Sequence, residues 1–121
     1  MNPMDPRGKA IREEAIRLVI HERFRQDEKW GVQRHAYPLY RLILGEELGE
    51  ADQAFLQSHF GGDHGGLDNL RKELVQVAAV AIAMVETLLE CDSCFLGRPG
   101  AEQNVAGKLW GKIVGVEEVS P

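Results

Sequence analysis

The chain has 121 residues and a mass of 13.5 kDa, the size of one domain whose core is large enough to need no cross-links. Hydrophobic residues at 44% and charged residues at 27% exclude a disordered or collagen-like chain. The net charge of −5, from 14 Lys and Arg against 19 Asp and Glu, disfavours electrostatic capture of a nucleic-acid duplex or an anionic membrane. A phosphate ligand would therefore need a carrier other than bulk charge, and a divalent metal is the obvious one.

The stretch from Met1 to Lys9 is polar and contains proline, unlike a secretory leader. The longest apolar run, Val77 to Val85, is nine residues, against about 20 for a membrane span. A soluble, cytoplasmic protein is expected.

The first element is opened by Asp5-Pro6, a capping residue followed by proline at the first helical position. Ile11, Ala15, Leu18, Val19 and Glu22 then recur on one helical face, with Arg12, Glu13, Arg17 and Arg25 outside. This predicts a helix from Pro6 to Lys29, stopped by Trp30-Gly31. A polar stretch, Val32 to Ala36, leads to Pro38, and Leu39, Leu42, Ile43, Leu48, Ala51 and Phe55 keep helical period to about Gln57. Gly45 and Gly49 lie inside this helix at a cost of about 1 kcal/mol each relative to Ala, which points to a packing or a site reason, close approach of a neighbouring helix being the plainer of the two. Ser58 to Gly66, with four glycines, His59, Asp63 and His64, reads as a flexible loop.

A third helix is expected from Leu67 or Asp68 to about Cys91. Gln76 is the one polar residue between Leu74 and Val85. A helix apolar all round is buried on more than one side, which predicts a homodimer or homotetramer built through the helix 67–91. Beyond Cys91, glycines break any long period, and Lys108 to Val119 reads as a short hairpin or an irregular tail with Trp110 docked on the core. Residues 1–121 thus form a single all-α domain: an antiparallel helical bundle of three main helices with an irregular C-terminal tail, completed by oligomerisation. Cys91 and Cys94 are too few for a disulfide framework, and with no second pair and no His at finger spacing neither zinc nor redox use is expected. His21 and His35 read as structural or exposed rather than catalytic. No P-loop, G-x-G-x-x-G or Ser-His-Asp pattern is present.

The chemistry lies in Glu46, Glu47 and Glu50. At about 100° per residue they occupy one arc of the second helix, near 0°, 100° and 40°. Like charges at this spacing repel, and no Lys or Arg stands four residues after any of them. A solvated acidic face would explain the pattern alone. Glu73 and Gln76, however, share a face of the third helix. Counted from the loop, Glu50 lies 8 residues before it and Glu73 7 residues after, so antiparallel helices set the two groups level. Mg²⁺, or Mn²⁺ in its place, is the hard cation such carboxylates would take.

E-E-x-x-E followed after 22 residues by Glu73, with Gln76 where an Asp is usual, resembles the metal-binding signature of the MazG-like, all-α NTP pyrophosphohydrolases. The stretch from Glu22 to Gly31 also resembles the end of that family's first helix, near its nucleobase pocket. The resemblance spans about Ile16 to Leu89. It implies hydrolysis of a nucleoside triphosphate between the α and β phosphates, releasing a monophosphate and pyrophosphate. Glu46, Glu47, Glu50, Glu73 and Gln76 would hold Mg²⁺, and Glu47 would serve as general base. Lys29, Arg34, Arg71 or Lys72 would pair with phosphates, and Gln26 would bond the base. Trp30 would stack on the base or seal the end of the helical core. Gln76 removes one negative charge, which leaves a second reading: a helical module that binds nucleotide or a protein without catalysis. Phosphoribosyl-ATP pyrophosphatase shares the signature, but Arg23 to Gly31 looks less like that branch.

Overall fold

A computed structural model describes residues 5–60 and 66–97. Its described residues form helices α1 (Pro6–Trp30), α2 (Tyr37–Phe60), α3 (Gly66–Glu90) and the single turn α4 (Asp92–Phe95), with no strand among them. The Asp5 carboxylate accepts from the Arg7 amide at 2.8 Å, and Pro6 follows it, so α1 starts where its capping signal lies. Gly31, at φ +78°, ends α1 in a conformation that side chains resist, while its N–H donates to the Asp27 carbonyl at 2.8 Å.

Two boundaries differ from expectation. Ser58, His59 and Phe60 continue α2, and α3 begins at Gly66. The chain needs the extra turn because the two helices close on each other there: a Cβ on Gly66 would overlap the Cα and Cβ of Ser58. His59 stacks on Phe55, one turn back, with ring centroids 5.4 Å apart. Asp63 and His64, and the hairpin or tail read from Lys108 to Val119, lie outside the described residues.

Helix α3 is central. It packs most extensively on α2 and also on α1 and α4. Tyr40 near the start of α2 meets Thr87 near the end of α3, while Glu50 and Glu73 meet at the opposite ends, so the pair is antiparallel. The core is Tyr40, Val80 and Ala83, with Ile43, Leu44, Met84 and Phe95 packed around it. Alanines at 51, 54 and 79, all buried, let the helices approach closely.

The inner face expected for α1 is only partly right. Ile11 is 53% exposed and Ala15 is exposed, whereas Leu18, Val19 and Glu22 are half-buried. Ile11 and Ile16 project about 140° apart, so α1 has no single apolar stripe. It is held instead by Arg23, buried in the interface, whose guanidinium donates to Glu86 of α3 at 2.6 Å. On α2, Leu39, Leu42, Leu48 and Phe55 are exposed, while Tyr40 and Ala54 take the inner positions. Nor does a neighbouring helix meet the two glycines: a Cβ on Gly49 would touch nothing within 4 Å, and one on Gly45 would meet only the Arg41 side chain. Among the described residues, no helix is long and apolar enough to cross a membrane.

Candidate metal and ligand site

Glu47 and Glu50 stand one turn apart on α2, and Glu73 faces them from the first turns of α3. Each offers one carboxylate oxygen, and the three oxygens lie within 4.8 Å of one another. Among the described residues no Lys or Arg is ion-paired to any of them. Three carboxylates at this separation repel strongly unless protonated or bridged by a cation.

Their electrostatics record that crowding. Burial, then the charges of Glu50, Glu73, Glu46 and Glu22, push the Glu47 carboxyl above the ordinary carboxylate range. Burial also raises Glu73, helped by the charge of Glu50 and by a hydrogen bond shared with it, and Lys72 only partly opposes this. Gln76 lies one turn beyond Glu73. With its amide nitrogen turned to the carboxylates, it donates to Glu73 Oε2 and Glu47 Oε2, 3.0 Å in each case. Glu46 is exposed and stands outside the three-oxygen group, acting on it only as a nearby negative charge.

A cavity of about 280 Å³ opens beside this group, between the second half of α1, the 31–36 segment, and the facing surfaces of α2 and α3. Glu47 and Gln76 line it and so connect the acidic group to the cavity. Of the residues named from sequence as ligand contacts, Gln26, Lys29 and Trp30 line the cavity. Trp30 is 61% exposed, with the Lys29 ammonium 4.8 Å from its ring centroid. Gln26 is fixed at both ends of its amide: its oxygen accepts from Arg23 at 3.0 Å, and its nitrogen donates to Glu22 at 3.1 Å.

Arg34 and Lys72 stand elsewhere. Arg34 is committed to α3, donating to Glu90 through Nε at 2.9 Å and Nη2 at 3.3 Å, and to Glu86 at 3.4 Å. Burial opposes its charge, but Glu90 and Glu86 outweigh that and hold its pKa above the usual guanidinium value. Lys72 is exposed and does not line the cavity. Arg71 pairs with Asp68 on the surface at 2.9 Å.

Sequence reasoning missed Arg23, Asp27, Glu86 and Glu90. Arg23 is 6% exposed, with Glu86 at 2.6 Å, Asp27 at 3.3 Å and Gln26 as partners, and the network continues through Arg34 to Glu90. The available signal was the pair Glu86 and Glu90, four apart at the end of an otherwise apolar helix, where a carboxylate that is buried needs a cationic partner. Tyr40 was also missed. Its hydroxyl lies 3.0 Å from Thr87 Oγ1, its ring meets that of His35 at 5.1 Å, and both rings line the cavity.

No family model, curated protein or solved structure matches the chain.

Proposed function

We propose that the protein is a Mg²⁺-dependent nucleoside triphosphate pyrophosphohydrolase of the MazG-like kind, cleaving NTP or dNTP between the α and β phosphates in the cytoplasm. The observation that carries this reading is the meeting of Glu47, Glu50 and Glu73, from two helices, at the edge of a cavity that Glu47 itself lines. The donor set fits a hard divalent cation: three carboxylates without ion-paired partners among the described residues, two of them made more basic by burial and mutual repulsion. A Mg²⁺ held there by Glu47, Glu50 and Glu73 would neutralise phosphate charge and acidify a water. Glu47, the carboxylate of the three that lines the cavity, is the residue suited to take the water's proton as general base. Lys29 supplies a cation on the cavity wall, and Trp30 an exposed ring face for a base. Gln26, held by Arg23 and Glu22, presents a fixed amide edge.

Incubating the purified chain with a panel of NTPs and dNTPs and Mg²⁺ should release pyrophosphate, and Glu47→Ala should abolish the release. No turnover of any nucleotide with Mg²⁺ or Mn²⁺ would overturn the reading. One observation favours the alternative of a non-catalytic nucleotide-binding module. Gln76 directs N–H donors at Glu47 and Glu73, so it does for the carboxylates part of what a cation would do. Calorimetric binding of nucleotide without turnover, with turnover gained in Gln76→Asp, would support that alternative.

The same proposal includes a homodimer or homotetramer. Leu67, Leu74, Ala81 and Leu88 recur every seventh residue on α3, and all four are exposed, as is Val85. That is the seam of a helix pair, and a second copy of the chain supplies the matching surface.

A further inference from the structure

We infer that Cys91 and Cys94 form a thiol–disulfide site, open to exchange with a dithiol, whose state sets how firmly one wall of the cavity is held. Against the expectation of no redox use stands the placement of this pair. The two sulfurs are bonded, and the Cα atoms stand 5.2 Å apart, inside the range a disulfide needs. Cys91 is 4% exposed, follows directly on α3, and is the capping residue of α4, while Cys94 is half-buried. The bond therefore closes the single turn of α4 onto the end of α3.

That turn carries the wall. Phe95 meets Tyr37 at 5.6 Å and Tyr40 at 6.2 Å between ring centroids. Tyr40 in turn holds His35 and Thr87, and it lines the cavity together with His35. Glu90, adjacent to Cys91, anchors Arg34 of the 31–36 segment. The bond thus sits at the junction from which the packing of this wall and the Arg34 anchor both start.

The exchange balances as follows. A thiolate of the dithiol attacks the more accessible Cys94 sulfur, the Cys91–Cys94 bond breaks, and Cys91 leaves as a thiolate that takes a proton. The second thiol of the reductant then attacks its own sulfur in the mixed disulfide and releases Cys94 as a thiol. Two electrons and two protons pass to the protein, and the dithiol becomes a cyclic disulfide.

The test uses the full-length chain purified without reductant, with thiol alkylation and amide hydrogen exchange read by mass spectrometry before and after dithiothreitol. The expected result is no alkylated cysteine before and both alkylated after. Exchange over residues 31–40 should accelerate on the order of tenfold, with residues 6–16 unchanged. Oxidised glutathione should reverse it. Cys94→Ser should exchange at the reduced rate with or without dithiothreitol; should that variant not fold, the wild-type comparison decides alone. Both cysteines alkylating in the untreated folded protein, or reduction leaving 31–40 unaltered, would overturn the inference. These readouts involve no nucleotide, so they stand apart from the pyrophosphohydrolase reading.

Discussion

Glu73 costs the cation-free protein stability at neutral pH. Its folded pKa is raised above 4.5, so the stability it contributes is fully present below that value and is lost as pH rises through the folded value. Glu73→Gln should therefore raise the thermal midpoint of the cation-free protein at pH 7 by roughly 2 °C, the effect of a few tenths of a kcal/mol from relieved repulsion. The difference from wild type should shrink as pH falls toward the ordinary carboxylate value. Calorimetry at several pH values checks both statements. Adding Mg²⁺ should raise the wild-type midpoint and leave that of the variant nearly unchanged. Gln76→Asp should show the opposite sign without metal and a larger rise with it. Although Glu46, which the same helical angles grouped with them, stands outside, the meeting of Glu47, Glu50, Glu73 and Gln76 was readable in advance from helical angle and distance to the loop. The direction of the Gln76 amide was not, because it depends on hydrogen bonds between helices that spacing does not specify.

The two ends of the α2–α3 pair are fixed by different means. At the loop end, Gly66 lies against Ser58, and Gly66→Ala should cost about 1–3 kcal/mol by forcing the helices apart, measured by chemical denaturation. At the other end, Thr87→Val leaves the buried Tyr40 hydroxyl with only the Gln33 carbonyl, 3.3 Å away. That change should cost about 1 kcal/mol in the same measurement. Helix existence was legible because Asp5-Pro6, Gly31 and the apolar period mark it. The burial of each helix was less so. Apolar residues scattered round α1 gave no dominant face, and the residue that joins α1 to α3 is an arginine, which composition and period assign to the outside.

For the molecule as a whole, the number of exposed apolar residues decides the expectation. Leu67, Leu74 and Leu88 are 65%, 51% and 45% exposed at heptad spacing along α3, the surface that the proposed second copy would cover. On the proposal that a second copy covers this face, light scattering coupled to size exclusion should give at least a dimer for the wild type and a monomer for Leu74→Glu combined with Leu88→Glu, with helical circular dichroism retained. The sequence made 67–91 apolar all round, and the structure leaves Leu67, Leu74 and Leu88 exposed there; the sequence also placed too much of α2 in the core. One arrangement constrains how such a chain can diverge. Glu86 is shared between Arg23 and Arg34, so a lineage that loses it leaves Arg23 with Asp27 of its own helix and Arg34 with Glu90, and the link that ties α1 to α3 is gone. Positions 23, 34, 86 and 90 should accordingly covary in descendants of this chain, drifting as a foursome and seldom singly.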